Sequence, residues 1–163
     1  MTVAAPERVF VGLGANQGDT RATLASALMA LDRHAGIERV ATSSLYRSAP
    51  VDATGPDYLN AVAELRTMLT PLELLAVLQA IETDHGRLRP YANAPRTLDL
   101  DLLLFGDREV DHPALRLPHP RLHQRAFVLE PMAQIAPDLF HPRLGWLRDW
   151  RAAAKDQAIE RLP

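Results

Sequence analysis

The sequence predicts an α+β fold in which two helices cover one face of an antiparallel β-sheet. Three observations support this: apolar residues alternate with others in four segments, two intervening segments carry apolar residues at helical spacing, and turn residues separate the segments. The chain has 163 residues, 47% of them hydrophobic, so it can bury a complete core. We therefore expect a single domain over residues 1–163.

The first part of the chain predicts a strand, a helix and a second strand. Residues 8–14 alternate as a strand does, and the segment Gly14–Asp19 fits neither common nucleotide-binding loop pattern, so we interpret it as a tight turn. Asp19 is a suitable N-cap for a helix whose apolar stripe extends to Ala35. Alternation over residues 37–46 predicts the second strand.

The middle of the chain predicts a third strand and a second helix. A strand over residues 57–68 places Tyr58 and Asn60 on the same face. The segment Thr70–Glu73 has the pattern of a capping box with Pro at the first helical position. It predicts a helix that ends at Gly86.

The fourth predicted strand, residues 97–105, carries the most informative pattern. Asp99 and Asp101 point to one face, about 6.5 to 7 Å apart, where their like charges oppose each other. A divalent cation relieves this repulsion, and Mg²⁺ combines such hard oxygen ligands with substrate phosphates. A solvated acidic surface is the alternative that the pattern leaves open. The opposite, apolar face carries Leu98, Leu100, Leu102 and Leu104.

Charged residues cluster in sequence just before this strand. Arg87, Arg89 and Arg96 precede the two aspartates. Arginines beside carboxylates are typical of sites that bind phosphates with Mg²⁺, although a surface ion-pair cluster would look the same. Glu82 falls in the last turn of the second helix, where a carboxylate is disfavoured, so we expect it to have a partner.

The remaining residues predict additions to this core. Gly106–Asp107 is a hairpin signal. If the chain is extended at 125–127, Arg125 and Phe127 share a face, and short helices are predicted over residues 130–135 and 144–154.

Strand, helix, strand, strand, helix, strand is the ferredoxin-like βαββαβ order, a sandwich of helices on an antiparallel sheet with C-terminal additions. The helices cover one sheet face. The other face, which carries Tyr58, Asn60, Asp99 and Asp101, is left for ligands and for the C-terminal segments.

Composition excludes several classes of function. The net charge is −2 with a pI near 6.3, so a general basic surface for nucleic acid is absent. Without cysteine there is no disulfide, thiolate zinc site or cysteine nucleophile. No apolar run approaches ~18 residues and no signal-peptide pattern is present, so we expect a cytoplasmic protein without a membrane partner. An RNA-binding sheet and a metal-dependent nucleotidyl transferase or nuclease remain alternatives.

Motifs along nearly the whole chain resemble those of the 6-hydroxymethyl-7,8-dihydropterin pyrophosphokinase family of folate biosynthesis. Each motif is weak alone, but together and in this order they are specific. They are Tyr46-Arg47-Ser48-Ala49-Pro50, Pro56-Asp57-Tyr58-Leu59-Asn60-Ala61, Ile81-Glu82, Gly86-Arg87-Leu88-Arg89, Pro95-Arg96-Thr97-Leu98-Asp99-Leu100-Asp101, Pro118-His119-Pro120 and Arg125-Ala126-Phe127.

This resemblance implies a ferredoxin-like fold and transfer of pyrophosphate from ATP to the pterin hydroxymethyl group, with release of AMP and two Mg²⁺ ions as cofactors. It implies a monomer whose partners are these small molecules. Asp99 and Asp101 are then the metal ligands, and the catalytic set adds Arg87 and Arg96. The implied pterin site is Ser48, Ala49, Pro50, Val51, Tyr58, Asn60 and Phe127. The implied ATP site is Gln79, Glu82, Arg87, Arg89, Arg96, Leu102, His119 and Arg125.

Overall fold

The described residues form a mixed α/β architecture, built on one six-stranded antiparallel sheet with four α-helices. The computed structural model describes residues 5–50, 55–86 and 98–163. In chain order the helices and strands are β1 (Glu7–Ala15), α1 (Thr20–Asp32), β2 (Ile37–Thr42), β3 (Tyr46–Ser48), β4 (Tyr58–Thr67), α2 (Pro71–Gly86), β5 (Asp99–Phe105), β6 (Val110–His112), β7 (Leu115–Leu117), α3 (Ala126–Ile135), β8 (Phe140–His141), β9 (Gly145–Trp146), α4 (Leu147–Ala153) and β10 (Ile159–Arg161).

The main sheet has the strand order β10-β3-β4-β1-β5, and β2 pairs with β4 beside β3. The strand predicted over residues 37–46 is therefore two strands, each on its own half of β4. The interruption has a physical cause. Ser43 stays bonded to β4, because its N–H donates to the Val62 carbonyl and its hydroxyl accepts the Val62 N–H, both at 2.9 Å. The Ser44 N–H instead donates to the Gln134 side chain of α3 at 2.9 Å.

Helix α1 begins as predicted and ends early. The Asp19 carboxylate accepts the Ala22 N–H at 3.1 Å, which caps the first turn. The helix stops at Asp32, whereas the apolar stripe predicted Ala35. A turn competes with the helix there, since the His34 ring nitrogen Nδ1 accepts the Gly36 N–H at 3.0 Å and leads the chain into β2.

Helix α2 confirms the predicted capping box. The Glu73 N–H donates to the Thr70 hydroxyl at 3.2 Å, and the Thr70 N–H donates to the Glu73 carboxylate at 2.9 Å. Each of these bonds satisfies a backbone N–H that has no acceptor within the helix. Such a cap typically contributes about 1 kcal/mol to stability. Its buried face carries Leu74, Leu78 and Ile81, which pack on the sheet.

The two faces of the sheet have separate cores. Helices α1 and α2 cover one face, where the buried residues include Val11, Leu65 and Leu100. Helices α3 and α4 cover part of the other face, where Phe10 and Val62 are buried. The ends of β4 and β5 that carry the predicted site residues lie beyond this second core, which leaves them open.

A β-bulge in β5 corrects the predicted alternation of its leucines. Phe10 pairs with Leu104 and Val11 pairs with Leu102, so one step along β1 corresponds to two steps along β5. Leu103 is the extra residue. Leu104 therefore lies in the core under α3 and α4, whereas strict alternation predicted it on the face that α1 and α2 cover.

The C-terminal half departs most from the sequence prediction. Helix α3 begins at Ala126, four residues before the predicted start, and Pro131 lies inside it. Helix α4 starts at Leu147, not at residue 144. The turn at Gly106–Asp107 is present, but it does not form a hairpin with β5, because β6 pairs with β7 in a separate two-stranded sheet.

His141 gives the fold a predictable dependence on pH. Its side chain is 2% exposed, Nδ1 accepts the Arg143 N–H at 3.1 Å, and Nε2 has no partner within the described residues. Burial lowers the pKa of His141 below its ordinary value, and the nearby Asp107 and Glu109 carboxylates oppose the shift only in part. Below about pH 6.5 the unfolded chain therefore binds more protons at this histidine than the folded chain does. The free energy of unfolding decreases as the pH falls through this range.

We expect urea unfolding to show a smaller free energy at pH 5.5 than at pH 7.5. In His141→Asn, where the amide oxygen can still accept the Arg143 N–H, this decrease should shrink. A decrease of the same size in both proteins would assign the pH dependence to other groups.

Candidate active site

A cavity of about 400 Å³ opens on the sheet face that α1 and α2 do not cover. It lies between the starts of β4, β5 and α3 and the end of β3. Many of the predicted site residues line it, namely Ser48, Ala49, Pro50, Tyr58, Asn60, Asp99, Asp101, Arg125 and Phe127. The structure thus brings together most of the predicted pterin residues, both aspartates and one of the predicted phosphate contacts.

Asn60 is the best-fixed polar group of the cavity. Its side chain is 4% exposed, and its amide nitrogen donates to the Ser48 hydroxyl at 2.7 Å. β3 and β4 are paired here, with Ser48 opposite Tyr58, so sheet pairing holds the donor and its acceptor in place. The amide oxygen is then the edge that Asn60 presents toward β1, where it lies 3.5 Å from the position of a Cβ on Gly14.

Two aromatic side chains reach the cavity from different elements. Tyr58 is the first residue of β4, and Phe127 lies in the first turn of α3. The guanidinium carbon of Arg125 lies 5.4 Å from the centre of the Phe127 ring, at cation–π distance. The sequence offered a shared face for Arg125 and Phe127 if this segment were extended; only Arg125 is extended, since α3 starts at Ala126, yet both side chains line the cavity.

The two aspartates stand on the cavity side of β5. Asp99 is half-buried and Asp101 is exposed, and both line the cavity. The predicted pairing of two carboxylates on one face is thereby confirmed. Within the described ranges, no group of three or more His, Asp or Glu side chains forms a complete metal site. A cation between these residues would therefore need oxygen ligands from water or substrate.

Glu82 connects α2 to the acidic strand. Its carboxylate accepts the Leu100 N–H at 2.9 Å, between the two aspartates in sequence. Among the described residues, β5 is an edge strand of the sheet, and Glu82 supplies the acceptor for this outward N–H. Glu82 thus has a backbone group as one partner, and the bond fixes the segment that carries Asp99 and Asp101.

His119 lies within electrostatic reach of Asp101. Burial lowers the pKa of His119 below its ordinary value; the Asp101 carboxylate opposes this shift, and Arg125 and Arg121 add to it. The ring is therefore neutral at pH 7. Its Nδ1 accepts the Arg121 N–H at 3.2 Å, which leaves the proton on Nε2 as a hydrogen-bond donor.

Other predicted residues lie elsewhere. Gln79 is exposed on α2, and the Leu102 side chain is buried in the core under α1 and α2. Neither side chain lines the cavity. Their assignment to ATP stays a prediction. Predictions that lie outside the described residues are those for Val51, Arg87, Arg89 and Arg96.

Gln157 is a site-supporting residue that sequence reasoning missed. Its side-chain oxygen accepts the Ala126 N–H at 2.8 Å, and its nitrogen donates to the Gln124 carbonyl at 2.6 Å. The two bonds hold the peptides on both sides of Arg125, and they cap a helix start that has no side-chain cap of its own. No local sequence signal could have found it, because it lies 31 residues from Ala126.

Gln157→Leu should loosen the start of α3. The substitution keeps the side-chain size and removes both hydrogen bonds, each typically worth about 1 kcal/mol, so amide exchange at Ala126 should accelerate about fivefold or more. Gln157→Glu keeps the acceptor and should retain most of the protection of Ala126. Unchanged exchange in Gln157→Leu would mean that the clamp does not hold the helix start.

Comparisons with known proteins identify the relatives of this chain. A family model described as 7,8-dihydro-6-hydroxymethylpterin-pyrophosphokinase (HPPK) matches residues 10–137. The 2-amino-4-hydroxy-6-hydroxymethyldihydropteridine pyrophosphokinase of Pseudomonas aeruginosa is 47% identical over 158 residues, which cover 96% of this chain and 98% of that protein. The protein of the same name from Bacillus subtilis is 40% identical over 127 residues, or 77% and 76% of the two chains.

Solved structures of larger proteins share the fold. A crystal structure of an HPPK-DHPS in complex with substrates matches with a TM-score of 0.74 and 12% identity, over 92% of this chain and 43% of that one. The Plasmodium falciparum HPPK-DHPS with pteroate matches with a TM-score of 0.74 and 13% identity, over 94% and 43%. This chain spans less than half of each solved chain, and at these identities the likeness concerns the fold alone.

The described part of the chain contains no helix long and apolar enough to cross a membrane. The resemblance drawn from sequence motifs is confirmed by the family model and by relatives that match along most of the chain. The chain belongs to the 7,8-dihydro-6-hydroxymethylpterin-pyrophosphokinase family.

Proposed function

We propose that this chain transfers pyrophosphate from ATP to the hydroxymethyl group of 6-hydroxymethyl-7,8-dihydropterin, in folate biosynthesis. The products are the pterin diphosphate and AMP. One observation carries the proposal: a single cavity combines two aromatic side chains and a fixed amide, Tyr58, Phe127 and Asn60, with the carboxylates of Asp99 and Asp101. A flat heterocycle and a metal-bound polyphosphate are the ligands that suit the two groups.

The aromatic part of the cavity suits the pterin ring. Tyr58 and Phe127 come from separate elements, and each offers a ring face or edge for stacking. Asn60 offers its amide edge to the polar edge of the ring, and Ser48 holds that amide in one orientation. Because Asn60 is held in place before the ligand arrives, this side chain loses little freedom on binding.

We propose that the acidic part of the cavity holds two Mg²⁺ ions. Asp99 and Asp101 would hold them, since carboxylate oxygens are the protein ligands that Mg²⁺ prefers, and water and phosphate oxygens complete its shell. Bound there, the ions would supply charge neutralisation on the phosphates and orient the reacting groups. The position of Glu82 on the Leu100 N–H supports this assignment, because it fixes the strand between the two ligands.

The phosphate chain of ATP would extend from the aspartates toward Arg125 and His119. Arg125 is a permanent cation on the cavity wall, and neutral His119 offers its Nε2–H as a donor. The family resemblance adds Arg87 and Arg96 as catalytic residues and Arg89 in the ATP site. It also adds Gln79, Glu82 and Leu102 to the ATP site.

In the reaction that we propose, the pterin oxygen attacks the β-phosphorus in line. The bond between the β-phosphorus and the oxygen that bridges to the α-phosphate breaks, so AMP leaves with that oxygen. The pterin hydroxyl gives up its proton to solvent water, and the pyrophosphoryl group is carried over intact. Arg125 and His119 stabilise the charge that develops on the phosphate oxygens, as preorganised donors do in other phosphoryl transfers.

Phosphorus NMR of a completed reaction tests the proposal. The chain is incubated with ATP, MgCl₂ and 6-hydroxymethyl-7,8-dihydropterin, with a reaction lacking the pterin as control. We expect resonances of AMP and a pterin diphosphate, which depend on the pterin. A pterin monophosphate with ADP would assign an ordinary kinase instead, and pterin-independent release of pyrophosphate would assign a nucleotidyl transferase.

The proposal extends to the fold and the state of the protein. We propose that the core is a ferredoxin-like βαββαβ sheet with α3, α4 and β10 as C-terminal additions; the pairing of both β2 and β3 with one edge of β4 supports this. We propose that residues 1–163 act as a single-domain monomer in the cytoplasm. Light scattering coupled to size exclusion, at two protein concentrations, tests the monomer.

A further inference from the structure

β1 runs through the middle of the cavity floor, and its cavity-facing residues there are glycines. β1 pairs with β4 on one side and β5 on the other, so each cavity-facing residue of β1 has a neighbour on both strands. Gly14 lies between Asn60 and Asp99. The pterin-reading amide and a predicted metal ligand are thus separated by a bare stretch of backbone.

The same face of β1 changes character along the strand. Two rows away from Gly14, the cavity-facing position is Phe10, which is 1% exposed and fills the core under α3. Gly12 lies in the row between them, and it and Gly14 are both half-exposed and line the cavity. On this face, β1 therefore carries a large side chain in the core and only glycines where it borders the cavity.

The backbone does not require glycine at position 14. The left-handed glycines in the described residues are Gly18, Gly55, Gly106 and Gly145, whereas Gly14 has ordinary strand conformation. A Cβ on Gly14 would lie 3.5 Å from Oδ1 of Asn60 and 3.8 Å from Cδ1 of Tyr58, which are ordinary van der Waals distances. Alanine would fit the protein without ligand. Glycine in such a strand lowers stability, and it often marks close approach of a ligand to the backbone.

We infer that Gly14 is a specificity-determining residue: its missing Cβ leaves the passage by which the hydroxymethyl arm of the pterin crosses β1 toward the aspartates. This inference rests on the proposed function. Adjacent strands lie about 4.8 Å apart, so Asn60 and Asp99 are separated by roughly 10 Å across Gly14. A ring read by Asn60 must extend its arm over Gly14 to reach an ion held by Asp99.

The passage selects for the shape of the ligand. A short, unbranched arm can lie on the bare backbone, whereas a methyl group at position 14 would occupy the space beside Asn60 and Tyr58 that the arm needs. Gly12 provides the contrast. A Cβ there would lie against Leu103, with its nearest contacts at 3.5 to 3.8 Å all on that one side chain. The two glycines of one strand face thus predict different effects for the same substitution.

The test is direct binding, measured by pterin fluorescence with MgCl₂ and a nonhydrolysable ATP analogue. Wild type, Gly14→Ala and Gly12→Ala are each titrated with 6-hydroxymethylpterin and with pterin that lacks the arm. For Gly14→Ala we expect Kd for 6-hydroxymethylpterin to rise at least about tenfold, as overpacking typically costs. The rise for pterin without the arm should be much smaller, whereas Gly12→Ala should change Kd for the two ligands by the same factor.

Each outcome bears on the inference separately from the proposed function. If wild type binds neither ligand, the proposed function fails, and this inference with it. If wild type binds 6-hydroxymethylpterin and Gly14→Ala binds it equally well, the inference alone fails. Equal losses for the two ligands would place the ring, not the arm, over Gly14 and would overturn the passage. The thermal midpoint of Gly14→Ala should match or exceed that of wild type, and loss of the folded state would also contradict the inference.

Discussion

Asp99→Asn and Asp101→Asn should each lower kcat by a factor of about a thousand or more. Each substitution removes one negative charge from the proposed metal site, and metal stabilisation of transition-state charge is worth several kcal/mol, where about 1.4 kcal/mol is tenfold in rate. Steady-state turnover at saturating ATP, pterin and MgCl₂ measures the effect. Near-normal turnover in either variant would rule out the acidic pair as the centre of the reaction.

The fold should survive both substitutions, which makes the result interpretable. Asp101 is exposed and Asp99 half-buried, so neither contributes to a core, and removal of one charge also relieves their mutual repulsion. Asp111→Asn is the matched control, because Asp111 is an acidic strand residue whose side chain is 92% exposed and pairs only at 3.6 Å with Arg116. It should leave kcat and the thermal midpoint unchanged.

Phe127→Ala and Tyr58→Ala should act on the pterin and spare ATP. Stacking of a flat heterocycle on an aromatic side chain is worth about 1 to 3 kcal/mol by alanine substitution, so KM for the pterin should rise about tenfold or more. Stacking holds the ring equally before and during the reaction, and therefore kcat should change much less than KM. Initial rates over a matrix of both substrate concentrations separate the two effects.

Two controls sharpen this measurement. Tyr58→Phe keeps the ring and should keep the pterin affinity. Phe140 is also an aromatic residue on the protein surface. It is 47% exposed, its ring centre lies 4.9 Å from that of Trp146 at a tilt of 56°, and it lies outside the cavity lining. Phe140→Ala should not alter KM for either substrate. A rise in KM for ATP in place of the pterin would show that the aromatic pair is misassigned.

The sequence was most informative where a local pattern decides the structure. The capping box at Thr70–Glu73 contains both of its own partners, and the alternation around Asp99 and Asp101 follows from the two-residue repeat of any strand. The family motifs predicted that Asn60 belongs to the pterin site. Asn60 does line the cavity, and its role in binding the pterin stays a prediction.

The features that sequence reasoning missed depend on distant parts of the chain. Leu103 forms a bulge because no residue of β1 lies opposite it, between the pairs Phe10–Leu104 and Val11–Leu102. The run of leucines itself carries no signal of this pairing. The early start of α3 depends on Gln157, and the Ala126 environment has no signal of its own. Gly12 and Gly14 read as strand and turn residues until their neighbours on both sides are known.

The position of β10 sets the order in which the site can form during synthesis. β10 pairs with β3 through Ile159 opposite Ser48, and the Leu162 N–H donates to the Leu45 carbonyl at 2.8 Å. Both the Ser48 side of the cavity and the start of α3 are thus secured by residues made last among those described. A nascent chain can pair β1, β4 and β5 while Gln157 and Ile159 are still inside the ribosome, but its cavity remains unfinished. We therefore expect activity to appear only after these residues have emerged.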